Sequence, residues 1–353
     1  MKLQTECQNT WIYSKKIQPL MKPKLRNANI TAVGKYLPKN ILTNADLEKM
    51  VDTNDEWIRT RTGIQERRIV DKGEASVEMS VNAIQQILDS RNLDPTEIDA
   101  IIVGTVTPDM LFPSCAALIQ HRIGATNAWG YDLSAACSGF IFALQSGSAL
   151  IESGQCEKVL IVGVDTMSSI LDYEDRNTCI LFGDGAGAVL LEPSEEYGVI
   201  DAIMRVDGGG GDYLKMPAGG SLHRASHETV DKKMHYIQQD GRTVYKFAVK
   251  GMADISYEVA SRNNLTNDDI DLFIPHQANK RIIDAAAKRL GLPDEKVLIN
   301  ISKYANTTAG TIPIGIVEAV ETKRLKKGDN LILASFGAGF TWGATYIKWG
   351  MDS

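Results

Sequence analysis

Apolar positions along the chain follow two periods. Over 74–91 they recur every three or four residues, with Met79, Ala83, Ile84, Ile87 and Leu88 on one face, which predicts an amphipathic helix. Unbroken apolar runs at 99–105, 158–164 and 186–192 are bounded by polar or glycine residues and predict buried strands. The stretch 138–153 is apolar on most sides and predicts a buried helix. In the second half, helices over 244–262 and 279–290 alternate with strands over 271–275, 330–336 and 341–349. Such alternation predicts mixed sheets covered by helices. Between 206 and 240 glycine and polar residues dominate, predicting a long loop and a candidate lid.

The same pattern occurs twice. Residues 92–102 (NLDPTEIDAII) lie over 264–274 (NLTNDDIDLFI), an offset of 172. At that offset 158–164 (KVLIVGV) lies over 330–336 (NLILASF). Two separate matches at one offset predict duplicated half-chains, packed about a pseudo-twofold axis. Active sites often form where such halves meet.

Composition narrows the class. The chain has 353 residues, 44% hydrophobic and 23% charged, enough for a large core. A net charge of −6 argues against a nucleic-acid binder, and any anionic partner must meet a local basic patch. The five cysteines are irregularly spaced with no C-x-x-C, which disfavours a disulfide framework or a metal site and points to a reducing cytoplasm. No apolar run approaches the roughly 18 residues that span a bilayer. Residues 1–27 are polar and basic, unlike a secretory signal, and are read as a flexible extension, with Met21 a possible true start.

Three segments carry candidate chemistry. Cys137, in SAACSGF, stands at the mouth of an apolar helix among small residues. Free N–H groups and the partial positive charge there favour thiolate over thiol. A buried structural cysteine is the competing reading. His276, in PHQAN, follows a predicted strand, where α/β proteins place catalytic groups; capping the next helix is its alternative role. Asn306, in YANTTAG, precedes a helix and reads equally as an N-cap. The duplication changes these odds. Adding 172 to Cys137 lands at Ala309, beside Asn306, and His276 follows the strand equivalent to 99–105. All three are thereby predicted to face one cleft. A cysteine, a histidine and an asparagine suit acyl transfer through a thioester. The turn FGAGFTWG at 336–343 offers backbone N–H groups for an oxyanion hole. GDGAG at 183–187 leads into a strand and is discounted as a dinucleotide loop.

These motifs resemble β-ketoacyl-acyl carrier protein synthase III, the condensing enzyme that initiates type II fatty acid synthesis. AACSGF at 135–140, HQAN at 276–279, Asn306-Thr307 and GAGFTWG at 337–343 carry the likeness, with NADLE at 44–48 and DEWIRTRTGI at 55–64. It extends from about residue 30 to 349. The resemblance implies a thiolase-like fold, two βαβαβαββ halves (28–197 and 198–353) in a five-layered αβαβα sandwich. It implies that Cys137 is acylated, and that His276 and Asn306 stabilise the enolate left when a malonyl thioester loses carbon dioxide. The oxyanion hole would be the N–H groups of Cys137 and Ala338, the latter an alanine where the family often has glycine. Trp57, Arg61 and Arg176 match residues that hold coenzyme A, and Phe112 matches one that crosses a homodimer interface to close the partner's acyl pocket. Lys246, Lys250, Arg281, Lys288 and Arg289 lie on helices flanking the proposed entrance, as a candidate patch for acyl carrier protein, or as ordinary solvated faces. No permanent cofactor, metal, nucleic acid or membrane partner is expected.

Alternatives are a polyketide-type or long-chain condensing enzyme of the same fold, and a non-catalytic acyl-CoA binder. A papain-like hydrolase shares Cys, His and Asn, but the duplication disfavours it.

Overall fold

The computed structural model describes residues 26–352. The predicted extension over 1–27 lies outside them except for its last two positions. Arg26 donates to the Cys156 carbonyl at 3.0 Å and pairs with Glu157 at 2.7 Å, and Asn27 opens the first strand.

Two large sheets organise the molecule. The first contains β1 (Asn27–Tyr36), β4 (Ala100–Gly104), β5 (Trp129–Leu133), β6 (Val159–Asp165) and β7 (Gly185–Ser194), in the order β1-β7-β6-β4-β5. The second contains β8 (Gly198–Val206), β11 (Leu272–Pro275), β12 (Asn330–Gly337) and β13 (Thr341–Lys348), in the order β11-β12-β13-β8. In the first sheet β4 and β6 are parallel, and β7 and β1 follow antiparallel. In the second, β11 and β12 are parallel, and β13 and β8 follow antiparallel. The two sheets therefore repeat one topology. The fifth place, held by β5 in the first sheet, is reduced in the second to a single parallel bridge between Phe273 and Val297. Two ribbons complete the strands: β2 (Asn40–Thr43) with β3 (Glu66–Ile69), and β9 (Leu214–Lys215) with β10 (Gln238–Gln239).

Burial divides the helices into three layers. Residues α5 (Gly139–Glu152) and α10 (Thr311–Glu321) contribute, among them Phe140, Leu144, Ile312 and Ile316, share one core with Ala100 and Ile102 of β4 and Leu331 and Leu333 of β12. The alternate strand residues face outward. Ile101 and Val103 pack under α3 (Ser76–Arg91) and α4 (Cys115–Ile123). Ile332 and Ala334 pack under α7 (Gly241–Arg262) and α8 (Lys280–Leu290). This is the αβαβα sandwich that the resemblance implies. Strands covered on both faces read as unbroken apolar runs, which is why β4, β6, β7, β11 and β12 were legible in the sequence.

Where the layers meet, small residues allow close approach. A Cβ on Gly104 would stand 2.6 Å from the carbonyl carbon of Gly139, so β4 and α5 touch backbone to backbone. The duplication also survives in strained turns. Ala136 (φ 46°) precedes α5 and Thr308 (φ 48°) precedes α10, and the two lie 172 residues apart. The predicted loop over 206–240 contains only short elements: a turn at Gly208–Gly210, β9, β10 and α6 (His227–Asp231). Among the described residues, no helix is long and apolar enough to cross a membrane.

Candidate active site

Cys137 lies in the one-turn helix Ala136–Ser138 immediately ahead of α5 and is 7% exposed. Three hydroxyls tie this turn to the β12–β13 hairpin. Ser335 Oγ donates to the Cys137 carbonyl at 2.7 Å, Ser138 Oγ to the Thr341 carbonyl at 3.1 Å, and Thr341 Oγ1 to the Ala135 carbonyl at 2.8 Å. Gly337 closes against the cysteine itself: a Cβ there would stand 2.7 Å from the Cys137 amide nitrogen. The first half thus supplies the sulfur, and the second supplies the backbone beside it.

His276 follows β11, as the sequence predicts. Its N–H donates to the Ala334 carbonyl at 2.8 Å, and its Nδ1 lies 2.6 Å from Thr311 Oγ1 at the start of α10. Its Nε2 is buried without a hydrogen-bond partner among the described residues. Asn306 sits in the turn between α9 (Ile301–Tyr304) and α10. Its N–H donates to the Leu181 carbonyl at 3.0 Å, and its Oδ1 accepts the Thr308 N–H at 2.8 Å. With Oδ1 so engaged, the amide NH2 is the end left for the cysteine. Cys137, His276 and Asn306 line one cavity of about 610 Å³, together with Gly337 and Phe336.

Burial lowers the His276 pKa to about 3, so the imidazole is neutral at physiological pH. Burial also pushes the Cys137 thiol up to about 12. The Asp165 carboxylate adds to that rise, while a hydrogen bond from Asn306 opposes it. The sequence reading expected a thiolate from the helix N-terminus; in the folded site desolvation outweighs that, and the resting group is a thiol.

Asp165, at the end of β6, was not singled out from the sequence. It is fully buried and accepts hydrogen bonds from Thr105, Thr107 and the Val106 N–H on one side. On the other it accepts from the Thr308 hydroxyl and the Ala309 N–H. It anchors the turn that presents Asn306. Nothing in its local sequence distinguishes it from the ordinary end of a strand.

The remaining predicted residues are placed as follows. Trp57 and Arg61, on α2 (Asp55–Thr62), line the outer part of the cavity, with the Arg61 guanidinium 4.9 Å from the indole centroid. Arg176 stands 5.6 Å from the same ring and donates to the Asp52 carbonyl at 2.8 Å, but does not line the cavity. Arg281 lines the mouth, donates to the Arg61 carbonyl at 3.0 Å and stacks over Tyr245. Lys246, Lys250, Lys288 and Arg289 are exposed along α7 and α8, with Arg289 over Tyr257 and 3.8 Å from Asp254. Phe112 is 84% exposed, in the segment before α4, and does not line the cavity. Ala338 occupies the hairpin turn next to Gly337. Leu214, Gln239 and Asp240 of the predicted loop line the cavity's rim.

Residues 131–208 match the family model for 3-oxoacyl-[acyl-carrier-protein (ACP)] synthase III, and residues 260–349 match that of its C-terminal part. The chain is 57% identical over 328 residues to a β-ketoacyl-[acyl-carrier-protein] synthase III of Koribacter versatilis, covering 92% of this chain and 98% of that one. It is 58% identical over 326 residues to the protein of that name from Chlorobaculum tepidum, covering 91% and 99%. Among solved structures, 3-oxoacyl-[acyl-carrier-protein] synthase III from Aquifex aeolicus superimposes with a TM-score of 0.84 at 43% identity, covering 91% of this chain and all of that one.

Proposed function

The chain belongs to the β-ketoacyl-acyl carrier protein synthase III family, and from that premise we propose how its residues carry out the condensation that initiates fatty acid synthesis. The enzyme is an acyltransferase, with acyl-CoA and malonyl-acyl carrier protein as substrates and no permanently bound cofactor.

In the first step Cys137 Sγ attacks the acyl-CoA carbonyl, and the coenzyme A sulfur leaves with the proton the thiol gives up. The transient oxyanion meets the N–H groups of Cys137 and Ala338. In the second step the malonyl thioester oxygen accepts hydrogen bonds from His276 Nε2 and Asn306 Nδ2. Carbon dioxide departs, and the enolate carbon attacks the acyl-Cys137 carbonyl, releasing the 3-oxoacyl product and the Cys137 thiolate, which takes a proton from solvent to restore the thiol. Two neutral donors stabilise the developing charge without protonating the carbanion. The half-chains 28–197 and 198–353 divide the work, sulfur from one and both donors from the other. The observation that carries this reading is the convergence of Cys137, His276 and Asn306 on one cavity whose outer wall is Trp57 and Arg61.

Trp57 stacks on the adenine of coenzyme A, with Arg61 and Arg176 flanking it. Lys246, Lys250, Arg281, Lys288 and Arg289 form the carrier-protein face beside the mouth. The enzyme is a cytoplasmic homodimer, a compartment supported by the free thiols of Cys115, Cys137, Cys156 and Cys179. Dimerisation is supported by exposed Leu111 and Phe112 beside the open edge strand β5, whose Trp129 and Tyr131 also face solvent. Asp132 of β5 accepts the Cys115 and Ala116 N–H groups at 2.7 and 2.9 Å, fixing the Phe112 segment to that edge.

Labelled acetyl-CoA and carboxyl-labelled malonyl-carrier protein separate the two steps. His276→Ala and Asn306→Ala retain label transfer to residue 137 and lose carbon dioxide release; Cys137→Ser loses the transfer of label. Loss of acylation in both of the first two variants would refute this division of roles.

A further inference from the structure

His276 is neutral and buried, so one ring nitrogen carries a hydrogen and the other a lone pair. Enolate stabilisation at Nε2 requires the hydrogen there. With Nδ1 protonated instead, Nε2 would turn a lone pair toward an oxygen gaining negative charge, which is repulsive. Something must select the tautomer, and among the described residues no carboxylate is hydrogen-bonded to the ring.

The group in contact with Nδ1 is the Thr311 hydroxyl, at 2.6 Å. That hydroxyl has two acceptors in reach, His276 Nδ1 and the Thr308 carbonyl at 3.1 Å. Only the first arrangement leaves Nε2 with its hydrogen. Nδ1 is the nearer acceptor by half an ångström, and the ring's opposite nitrogen has no partner among the described residues.

The duplication provides an internal control. His276 is the counterpart of Gly104 and Thr311 the counterpart of Gly139, each pair 172 residues apart. In the first half those two positions are bare backbone in contact. In the second half the same juncture of strand end and central helix holds a histidine hydrogen-bonded to a threonine. The two side chains occupy the same juncture in the half that supplies the donors and are both missing from the half that supplies the sulfur.

We propose that Thr311 is a positioning residue that donates its hydroxyl to His276 Nδ1 and so holds the imidazole as the Nε2–H tautomer needed for malonyl decarboxylation. This rests on the enolate role assigned to His276 above. Thr311→Val keeps the shape of the side chain and removes the hydroxyl; Thr311→Ser restores the hydroxyl. Acylation of Cys137 from acetyl-CoA should be unchanged in both. Carbon dioxide release should fall about 100-fold in Thr311→Val, the order of loss seen when one oxyanion donor is removed, and stay within about threefold in Thr311→Ser. In 15N-histidine-labelled wild type, the residue 276 signal, assigned by its absence in His276→Asn, should show protonated Nε2 and bare Nδ1. Thr311→Val should lose that pattern. A protonated Nδ1 in the wild type, or undiminished carbon dioxide release in a folded Thr311→Val, would overturn the role of Thr311 alone. Absence of acylation or carbon dioxide release in the wild type would instead overturn the enzymatic assignment. Should Thr311→Val fail to fold, the wild-type spectrum and Thr311→Ser still decide the matter.

Discussion

His276 is held at odds with water. Burial keeps its pKa near 3, against an ordinary 6.5. As pH falls below 6.5 the unfolded chain takes up a proton that the native ring refuses, so native stability declines from about pH 6.5 toward 3 and is unaffected by this group above that range. His276→Asn removes the linkage. Between pH 7 and pH 5, urea denaturation should show a loss of stability smaller by about 2 kcal/mol in His276→Asn than in the wild type. An equal loss in both proteins would show that the ring titrates freely. At this scale the sequence singled out the three residues that meet in the cavity but not their supports. Cys137, His276 and Asn306 stand out because each interrupts an apolar element with chemistry. Thr311 and Asp165 do not, because a threonine at a helix start and an aspartate after a strand are what local structure places there anyway. The thiolate expectation for Cys137 failed for a related reason: desolvation is set by chain that arrives from the other half, which local sequence does not show.

The elements that matter are two turns and a hairpin. The turn holding Cys137 and the turn holding Asn306 enter their central helices through the same left-handed step, at Ala136 and Thr308. The hairpin β12–β13 presses on the first of them, and Gly337 is its point of contact. Gly337→Ala forces a methyl to within 2.7 Å of the Cys137 nitrogen. Either hairpin or nucleophile must move, and a displacement of an ångström at a reacting centre lowers rates steeply. The variant should fold, with a loss of about 1–3 kcal/mol from overpacking, and should lose at least about tenfold in acylation rate, read as coenzyme A release. Acylation at the wild-type rate would mean that the hairpin does not set the nucleophile. Among the elements, the buried strands β4, β6, β7, β11 and β12 and the helices α3, α5, α7 and α8 were legible from their periods, while β1, α2 and α4 were not singled out. The edge strand β5 was not, since Trp129-Gly130-Tyr131-Asp132 lacks an apolar run and its outer side faces solvent. Nor was β8, whose half-buried residues precede the glycine-rich segment read as loop.

At the scale of the whole molecule, duplication explains why the site lies between halves and why each half is incomplete. The offset of 172 was visible in two short matches, and the structure extends it to strand order, central helices and turn conformation. What no sequence repeat disclosed was the divergence: a histidine and threonine replacing two glycines, and one sheet lacking its fifth strand. For the dimer proposed above, Phe112→Asp places a charge on the exposed apolar segment. Analytical ultracentrifugation should then find the 38.7 kDa single chain, with condensing activity reduced in parallel. A variant that remains paired and fully active would remove Phe112 from the interface.

A strand present in one half and not in the other bears on how copies of the chain can join. In one half β5 leaves a row of peptide groups open at the sheet margin; in the other the corresponding margin is β11, which carries only the Phe273–Val297 bridge. In the dimer proposed above, two copies paired through β5 about a twofold axis would cover both of those open margins at once. A contact that uses the same strand from each copy about a twofold axis closes on itself and leaves no free β5 for a third chain.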